Sequence, residues 1–476
     1  VADTGLDENS CYFHDSNGKV TRSLNTAPII DMSRRKVVQY SRLSSADTSD
    51  VTEGHGTHVC GTVAGDNTQN IYGDGQYNGV GYGARLAFLD IGDSNNVLYG
   101  PSITDEYPVL ARGNAYIFTN SWGATFSGNG YYTGYNIDQY LYNNMEVVIF
   151  FAAGNSGLPS NGAGTITMEA SAKNIVAVGA SETTLSSSSI DNVAWFSSVG
   201  LTYDGRFKPD IISPGFSIQS VLSANSGSNS YTCNTIVKAG TSMASPGAAG
   251  IAALIRQYFT DYRFWIKICE SGDPSCRSFI PSGVLIKTII IHSGNVMKQY
   301  NAGSKGTIDI SAGTPDKYQG FGRVQLSNAL PLSGFSTFLL FVRDLVTIGE
   351  YSEKSRTFKV TGQSKPIKAT LSWYDPPAAA SITSKSLVND LDLIILSPSN
   401  KIYYSNRLSN YDRKNNVEQI VIPSPSNGIW TVTVKSNALP YGQQQRFSIS
   451  LTCIGLTLYN NENKEKEERE DNNIRE

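Results

Sequence analysis

The chain has 476 residues, a formal net charge of −3, 40% hydrophobic residues and only 17% charged ones. Low charge with that much apolar content excludes a chain disordered throughout. The missing basic surplus argues against nucleic acid as a partner. At about 150 residues per domain, the length predicts two or three domains, each large enough for a core.

In chain order, Leu86–Ile91, Ala115–Asn120, Val147–Ala153 and Ile175–Gly179 read as buried strands of a parallel sheet. Ile137–Asn144 reads as a helix. Ser245–Phe259 is the strongest helix signal, rich in Ala, Leu and Ile, with Pro246 in its first turn. Ile289–Ile291 is short enough to be another buried strand. Alternation of this kind predicts a three-layer α/β domain with a mostly parallel sheet over residues 1–333. Past residue 334 the period becomes two. Thr357–Val360, Ala369–Trp373, Leu391–Leu396, Gln419–Ile422, Ile429–Val434 and Phe447–Leu451 predict an all-β, jelly-roll-like sandwich over 334–456. Residues 457–476 read as a charged, disordered tail or linker. Its last fifteen residues hold seven acids against four bases.

The six cysteines are compatible with disulfides and an oxidising compartment. Cys269 and Cys276 bracket a short Gly-Asp-Pro loop and are the best candidate pair. Cys11, Cys60, Cys233 and Cys453 cannot be paired from sequence. No CxxC recurs and there are four His, so zinc is a poor reading. No apolar run approaches the roughly 18 residues of a membrane span. The first residue is Val and no signal peptide is visible, so the chain is expected to be part of something longer.

Four separated segments carry chemistry. Val1-Ala2-Asp3-Thr4-Gly5 ends a short apolar stretch in an acid and a Gly turn. His55-Gly56-Thr57-His58-Val59-Cys60-Gly61 sets a His ahead of small residues. Phe151-Ala152-Ala153-Gly154-Asn155-Ser156-Gly157 presents an amide at the end of a buried strand. Gly240-Thr241-Ser242-Met243-Ala244-Ser245-Pro246 puts a Ser at the mouth of the strongest helix. A Ser hydroxyl becomes a nucleophile only beside a base such as His, and that His needs a carboxylate to orient it. An amide on a Gly-flanked turn can donate to a developing oxyanion. Taken singly, Asp-Thr-Gly is an ordinary turn and a Ser at a helix start is an ordinary cap.

In the order Asp, His, Asn, Ser, these blocks resemble the subtilisin-like serine proteases, or subtilases. Ser121-Trp122-Gly123, Lys208-Pro209-Asp210-Ile211 with Pro214-Gly215, and Gly320-Phe321-Gly322-Arg323-Val324 add to the match, which covers Val1 to Leu330. The resemblance implies Ser242 as nucleophile, His55 as general base and then acid, and Asp3 as its orienting carboxylate. It implies Asn155 as oxyanion donor, together with the Ser242 backbone N–H. Ser121, Trp122 and Gly123 would pair with the substrate backbone. Ala152, Ala153 and Gly154 would line the pocket for the residue before the cut. No cofactor is implied for catalysis. Substrates would be proteins or peptides, in a secreted or luminal setting. Thr167-Met168-Glu169-Ala170 departs from the Gly-rich stretch usual at the pocket, so Glu169 is either a determinant for basic residues or an exposed rim acid. His58 is expected to be structural, and Cys60 a buried small hydrophobe rather than a reactive thiol.

In the C-terminal part, Asp390 and Asp392 share one strand face, and carboxylates that close call for a cation. Structural Ca²⁺ there, with Asp375, Asn389 and Glu418 as further ligands, is one reading, and two solvated acids at a strand start are the other. These segments are similar to the calcium-binding β-sandwich that follows the catalytic domain in some subtilases. Two other readings stand beside the endopeptidase. One is an inactive binding scaffold. The other is the protease module of a larger membrane protein, such as the subtilase–ABC transporter fusions.

Overall fold

The computed structural model describes residues 1–67, 76–125, 134–159, 164–186, 189–223, 232–264, 278–332, 338–361, 366–379, 385–453 and 457–458. The expected pair Cys269 and Cys276, the expected boundary at 334 and residues 459–476 lie outside them.

The N-terminal sheet contains β1 (Ala2–Asp3), β2 (Arg22–Leu24), β3 (Val37–Arg42), β4 (Leu86–Asp90), β5 (Ile117–Asn120), β6 (Val148–Ala152), β7 (Val176–Ser181), β8 (Asn192–Val193) and β9 (Ile211–Pro214). Its helices are α1 (His55–Ala64), α2 (Ile103–Ala111), α3 (Tyr135–Asn143), α4 (Thr241–Thr260) and α5 (Gly283–His292). A hairpin of β10 (Ile218–Val221) and β11 (Thr235–Lys238) precedes α4, and β12 (Gln299–Asn301) and β13 (Thr307–Asp309) close one sheet edge. The spatial order is β13-β12-β8-β7-β6-β5-β1-β4-β3-β2, with β9 beside β7. From β2 to β7 every neighbouring pair runs parallel. The strands read as continuous apolar runs because helices cover both faces. β1 sits between β4 and β5, where the strand order reverses. The carboxyl end of such a switch point is where open α/β sheets bind ligands.

Helix α4 begins four residues before the expected Ser245, so Pro246 falls in its second turn. Its small residues Ala244, Ala248 and Ala252 let it lie close on Val148, Phe150, Val176 and Val178. Ile289–Ile291 is not a strand; it belongs to α5. That helix is buried on all sides, so it shows no amphipathic period from which a helix could be read.

The C-terminal strands form two antiparallel sheets. One holds β14 (Leu339–Gly349), β16 (Ile367–Ser372), β19 (Val417–Ile422) and β21 (Gln444–Cys453). The other holds β15 (Glu353–Val360), β17 (Leu391–Leu396), β18 (Ile402–Tyr404), β20 (Gly428–Ser436) and β22 (Thr457–Leu458). Trp373, Trp430, Leu391 and Leu451 fill the core between them. The pair Thr457–Leu458, expected in the tail, adds a strand to β15. The β16 face meets α5 through side chains. His292 Nδ1 lies 2.9 Å from Thr370 Oγ1, its Nε2 2.9 Å from Thr452 Oγ1, and Thr288 Oγ1 2.5 Å from Ser372 Oγ.

Candidate active site

Asp3, His55, Ser242 and Asn155 come from four distant segments and meet at the carboxyl end of the central strands. Asp3 ends β1 and is fully buried. Its Oδ1 lies 2.7 Å from His55 Nδ1 and also accepts the Thr4 N–H at 2.8 Å. Burial alone would lower the His55 pKa; the charge and hydrogen bond of Asp3 outweigh it, and the imidazole stands above its ordinary value. His55 opens α1, whose N-cap position is a Gly with no side chain to give. Asp50 and Thr4 supply the cap instead. Asp50 Oδ2 accepts the Thr57 N–H at 2.8 Å, Thr4 Oγ1 accepts the Gly56 N–H at 2.8 Å, and Thr4 Oγ1 donates to Asp50 Oδ1 at 2.9 Å. Burial raises the Asp50 carboxyl to about 6. No motif in the sequence singled it out.

Ser242 is the second residue of α4. Its hydroxyl donates to the Ser121 carbonyl at 2.9 Å, and Ser121 Oγ donates back to the Ser242 carbonyl at 2.7 Å. Pro246 explains the second bond. An α-helical N–H at position 246 would bond the carbonyl of 242, and proline has none. The freed carbonyl takes the Ser121 hydroxyl and ties the expected substrate strand to the expected nucleophile. Among the described residues the Ser242 hydroxyl makes no hydrogen bond to His55; rotation about its Cα–Cβ bond has to turn it there. Such contacts are commonly loose without substrate.

Asn155 is exposed, and its orientation is set from one end. Its Oδ1 accepts from Thr241 N at 2.8 Å and from Thr241 Oγ1 at 3.0 Å. Thr241, itself buried, also accepts the Gly154 N–H at 3.2 Å. Among the described residues no hydrogen bond takes up the amide NH2. Gly154 adopts φ +113°, and a Cβ there would meet Ser198 Oγ at 2.7 Å and Thr167 Cγ2 at 2.9 Å.

A cleft of about 480 Å³ is lined by His55, Leu98, Ser121, Trp122, Gly123 and Glu169, among others. Trp122 Nε1 donates to the Ala2 carbonyl at 3.2 Å. Ala152 ends β6, and the Ala153 carbonyl accepts the Thr167 N–H at 3.0 Å. Glu169 is half-buried rather than fully exposed, and its Oε2 accepts the Ala124 N–H at 2.9 Å.

The Subtilase family model matches residues 1–322. The chain belongs to the subtilase family. This subtilase is similar to the serine protease/ABC transporter B family protein tagD of Dictyostelium discoideum, at 28% identity over 93% of this chain and 31% of that protein. It is also similar to serine protease AprX of Bacillus subtilis (strain 168), at 32% identity over 44% of this chain and 49% of that one. The solved structure of the prenylagaramide maturation protease PagA aligns at 20% identity and a TM-score of 0.42, covering 68% of this chain and 88% of that one. The chain thus spans about a third of the length of tagD and about half that of AprX.

Among the described residues, His58, Cys60, Cys11 and Cys233 hold structural places near the site. His58 Nε2 lies 3.1 Å from the Ile218 carbonyl and 3.2 Å from that of Ile236, and burial lowers its pKa to about 4. It ties α1 to the β10–β11 hairpin as a neutral ring. Cys60 is fully buried, and burial pushes its thiol well up. A disulfide joins Cys11 to Cys233, which lie 222 positions apart in sequence, with Cα atoms 5.2 Å apart. It anchors the strand leading into Ser242 to the segment that follows Asp3. Replacing both cysteines by Ser is expected to lower the unfolding free energy by about 2–4 kcal/mol, read by chemical denaturation under oxidising conditions.

Of the carboxylates expected to hold calcium, Asp390, Asp392 and Asp375 have protein cations instead, and Glu418 takes a backbone N–H. Arg413 Nη1 lies 2.7 Å from both oxygens of Asp392 and 3.3 Å from Asp390 Oδ2. Lys173 pairs with the buried Asp375. Glu418 Oε2 accepts the Leu393 N–H, and Asn389 Nδ2 donates to the Tyr441 carbonyl at 3.0 Å. Among the described residues no three acidic, His or Cys side chains gather to hold a metal ion. These residues fit Arg413 better than Ca²⁺, because a guanidinium already bridges the two close acids. Arg413→Ala is therefore expected to lower the melting temperature by several degrees, whereas EDTA leaves it unchanged. A melting point that falls on chelation would restore the calcium expectation.

Proposed function

We propose that this chain is a serine endopeptidase working through an acyl-enzyme. Ser242 attacks the peptide carbonyl, and His55 takes its proton and then passes it to the leaving amine. Asp3 holds the His55 tautomer and stabilises the imidazolium. Asn155 and the Ser242 N–H receive the oxyanion. Ser121–Gly123 pairs with the substrate backbone, and Ala152–Gly154 walls the pocket before the cut. The single observation that carries this reading is the 2.7 Å contact of buried Asp3 with His55 at the same strand end as Ser242 and Asn155. A fluorophosphonate probe tests it. Wild type is expected to be labelled and Ser242→Ala to be blank. Equal labelling of both, or of neither, counts against Ser242 as the nucleophile.

We further propose that residues 1–333 are the catalytic unit, 334–456 with the added strand at 457–458 the sandwich, and the remainder a tail. A secreted or luminal setting is supported by the Cys11–Cys233 disulfide, since such bonds persist in oxidising compartments. Among the described residues no helix is long and apolar enough to cross a membrane. The similarity to tagD across nearly the whole chain supports a second reading, in which this is the protease part of a larger transporter protein. A run of hydrophobic spans encoded in the same gene would decide for it.

A further inference from the structure

The segment from Thr167 to Ser171 hydrogen-bonds to both segments expected to grip a substrate, 121–124, which lines the cleft, and 152–154. The Thr167 N–H bonds the Ala153 carbonyl at 3.0 Å on one side. On the other, the Met168 N–H bonds the Ala124 carbonyl at 2.9 Å, and the Glu169 carboxylate takes the Ala124 N–H at 2.9 Å. Behind it, Ala170 and Ala172 pack into the α/β core and Asp138 of α3 takes the N–H groups of Lys173 and Asn174 at 3.2 and 2.8 Å, and the C-terminal sandwich adds a further layer of support.

Two arms reach it, both buried. In the first, Arg206 Nη2 donates to the Ser171 carbonyl at 2.7 Å and Arg206 Nε to Asp204 Oδ2 at 2.7 Å. Asp204 in turn accepts the Ser386 hydroxyl and, at 3.3 Å, its N–H. In the second, Lys173 Nζ pairs with Asp375 Oδ2 and donates to the carbonyls of Pro376 at 2.6 Å and Ser386 at 2.7 Å. Asp375 is clamped by the N–H groups of Val388 at 2.9 Å and Asn389 at 2.7 Å. Asn174 exchanges both backbone bonds of Asp375 with its side-chain amide, at 2.8 and 2.9 Å. Lys173, Asn174, Asp375 and Ser386 are all essentially inaccessible to solvent. Docking by apolar contact alone would tolerate sliding. Charged groups buried with every bond directional do not.

We propose that the sandwich is a positioning element for substrate binding: Asp375 and Ser386, acting through Lys173 and Arg206, hold the Thr167–Ser171 bridge that hydrogen-bonds to both segments expected to grip a substrate. This rests on the endopeptidase reading. Asp375 and Ser386 are positioning residues, since they act through others and do not line the cleft. Loosening the bridge weakens a peptide's grip along both strands while leaving Ser242, His55 and Asp3 in place. The signature is a raised KM with near-normal reactivity toward a small acylating probe.

The experiment uses the full chain as wild type, Asp375→Asn and Ser386→Ala. Each is assayed for KM and kcat on a fluorogenic peptide taken from wild-type cleavage of denatured casein, and for its rate of fluorophosphonate labelling. KM is expected to rise about tenfold in Asp375→Asn and about threefold in Ser386→Ala, with labelling rates within about twofold of wild type. Unchanged KM in folded variants overturns the proposal, as does labelling that falls in parallel with kcat/KM. Where circular dichroism shows Asp375→Asn unfolded, Ser386→Ala, which removes one hydroxyl, decides alone. A wild type that is neither labelled nor cleaves overturns the endopeptidase reading and this proposal with it. A labelled, cleaving wild type whose variants keep their KM overturns the proposal alone.

Discussion

Replacing Asp3 by Asn is expected to lower kcat about 10⁴-fold, the size of loss seen when a serine protease triad loses this carboxylate. The physical cause is on the ring of His55. Asp3 Oδ1 holds Nδ1 at 2.7 Å, so the proton sits there and Nε2 is free to act as base. An Asn amide can present its NH2 to Nδ1 and so stabilise the wrong tautomer. The pH profile carries a second signature. His55 must be neutral to accept a proton, so activity rises with pH as the imidazole loses its proton. Burial lowers its pKa, while the neighbouring carboxylate more than compensates and holds it above the ordinary value. Removing that charge leaves burial opposed only by the lesser pull of Asp50. The acid limb of kcat/KM is therefore expected to move to lower pH in Asp3→Asn, even as the plateau collapses. A plateau within tenfold of wild type, or a limb moving upward, would remove Asp3 from its assigned role.

Asn155→Ala is expected to cost about 10²–10³ in kcat with little change in KM, again a magnitude borrowed from a related enzyme. An interaction made only with the oxyanion does not help hold the ground-state peptide, so the loss falls on turnover. The anchoring of Oδ1 by Thr241 is what makes the donor effective, since an amide held at one end needs no reorganisation when charge develops. Steady-state kinetics on one peptide separate the outcomes. An equal rise in KM would mean that Asn155 binds substrate rather than the transition state.

Much of this was legible in the residues, and the parts that were not share a cause. The parallel strands announced themselves because Val148–Ala152 and Val176–Ser181 are buried on both faces and carry no polar alternation. The four segments around Asp3, His55, Asn155 and Ser242 are legible because each sits at the end of a strand or the start of a helix, with its own local residue pattern. What stayed hidden depends on contacts between distant stretches. Asp50 caps a helix from five residues upstream of His55, a spacing no capping rule covers. Cys11 and Cys233 meet only once the β10–β11 hairpin is folded. The charge on Asp390 and Asp392 called for a cation, and residues alone did not say that Arg413 would be it. Ile289–Ile291 was read as a strand because burial from two directions erases the period of a helix.

That last helix bears on how the protein is made. α5 has the N-terminal sheet on one side and β16 and β21 on the other, and both ring nitrogens of His292 meet threonines that arrive about eighty and one hundred and sixty residues later. A ribosome releasing this chain in order would expose an oily helix until the last strand of the sandwich emerged. A chain that stops after residue 333 lacks the strands that cover α5, and is expected to be less soluble than one that carries the sandwich.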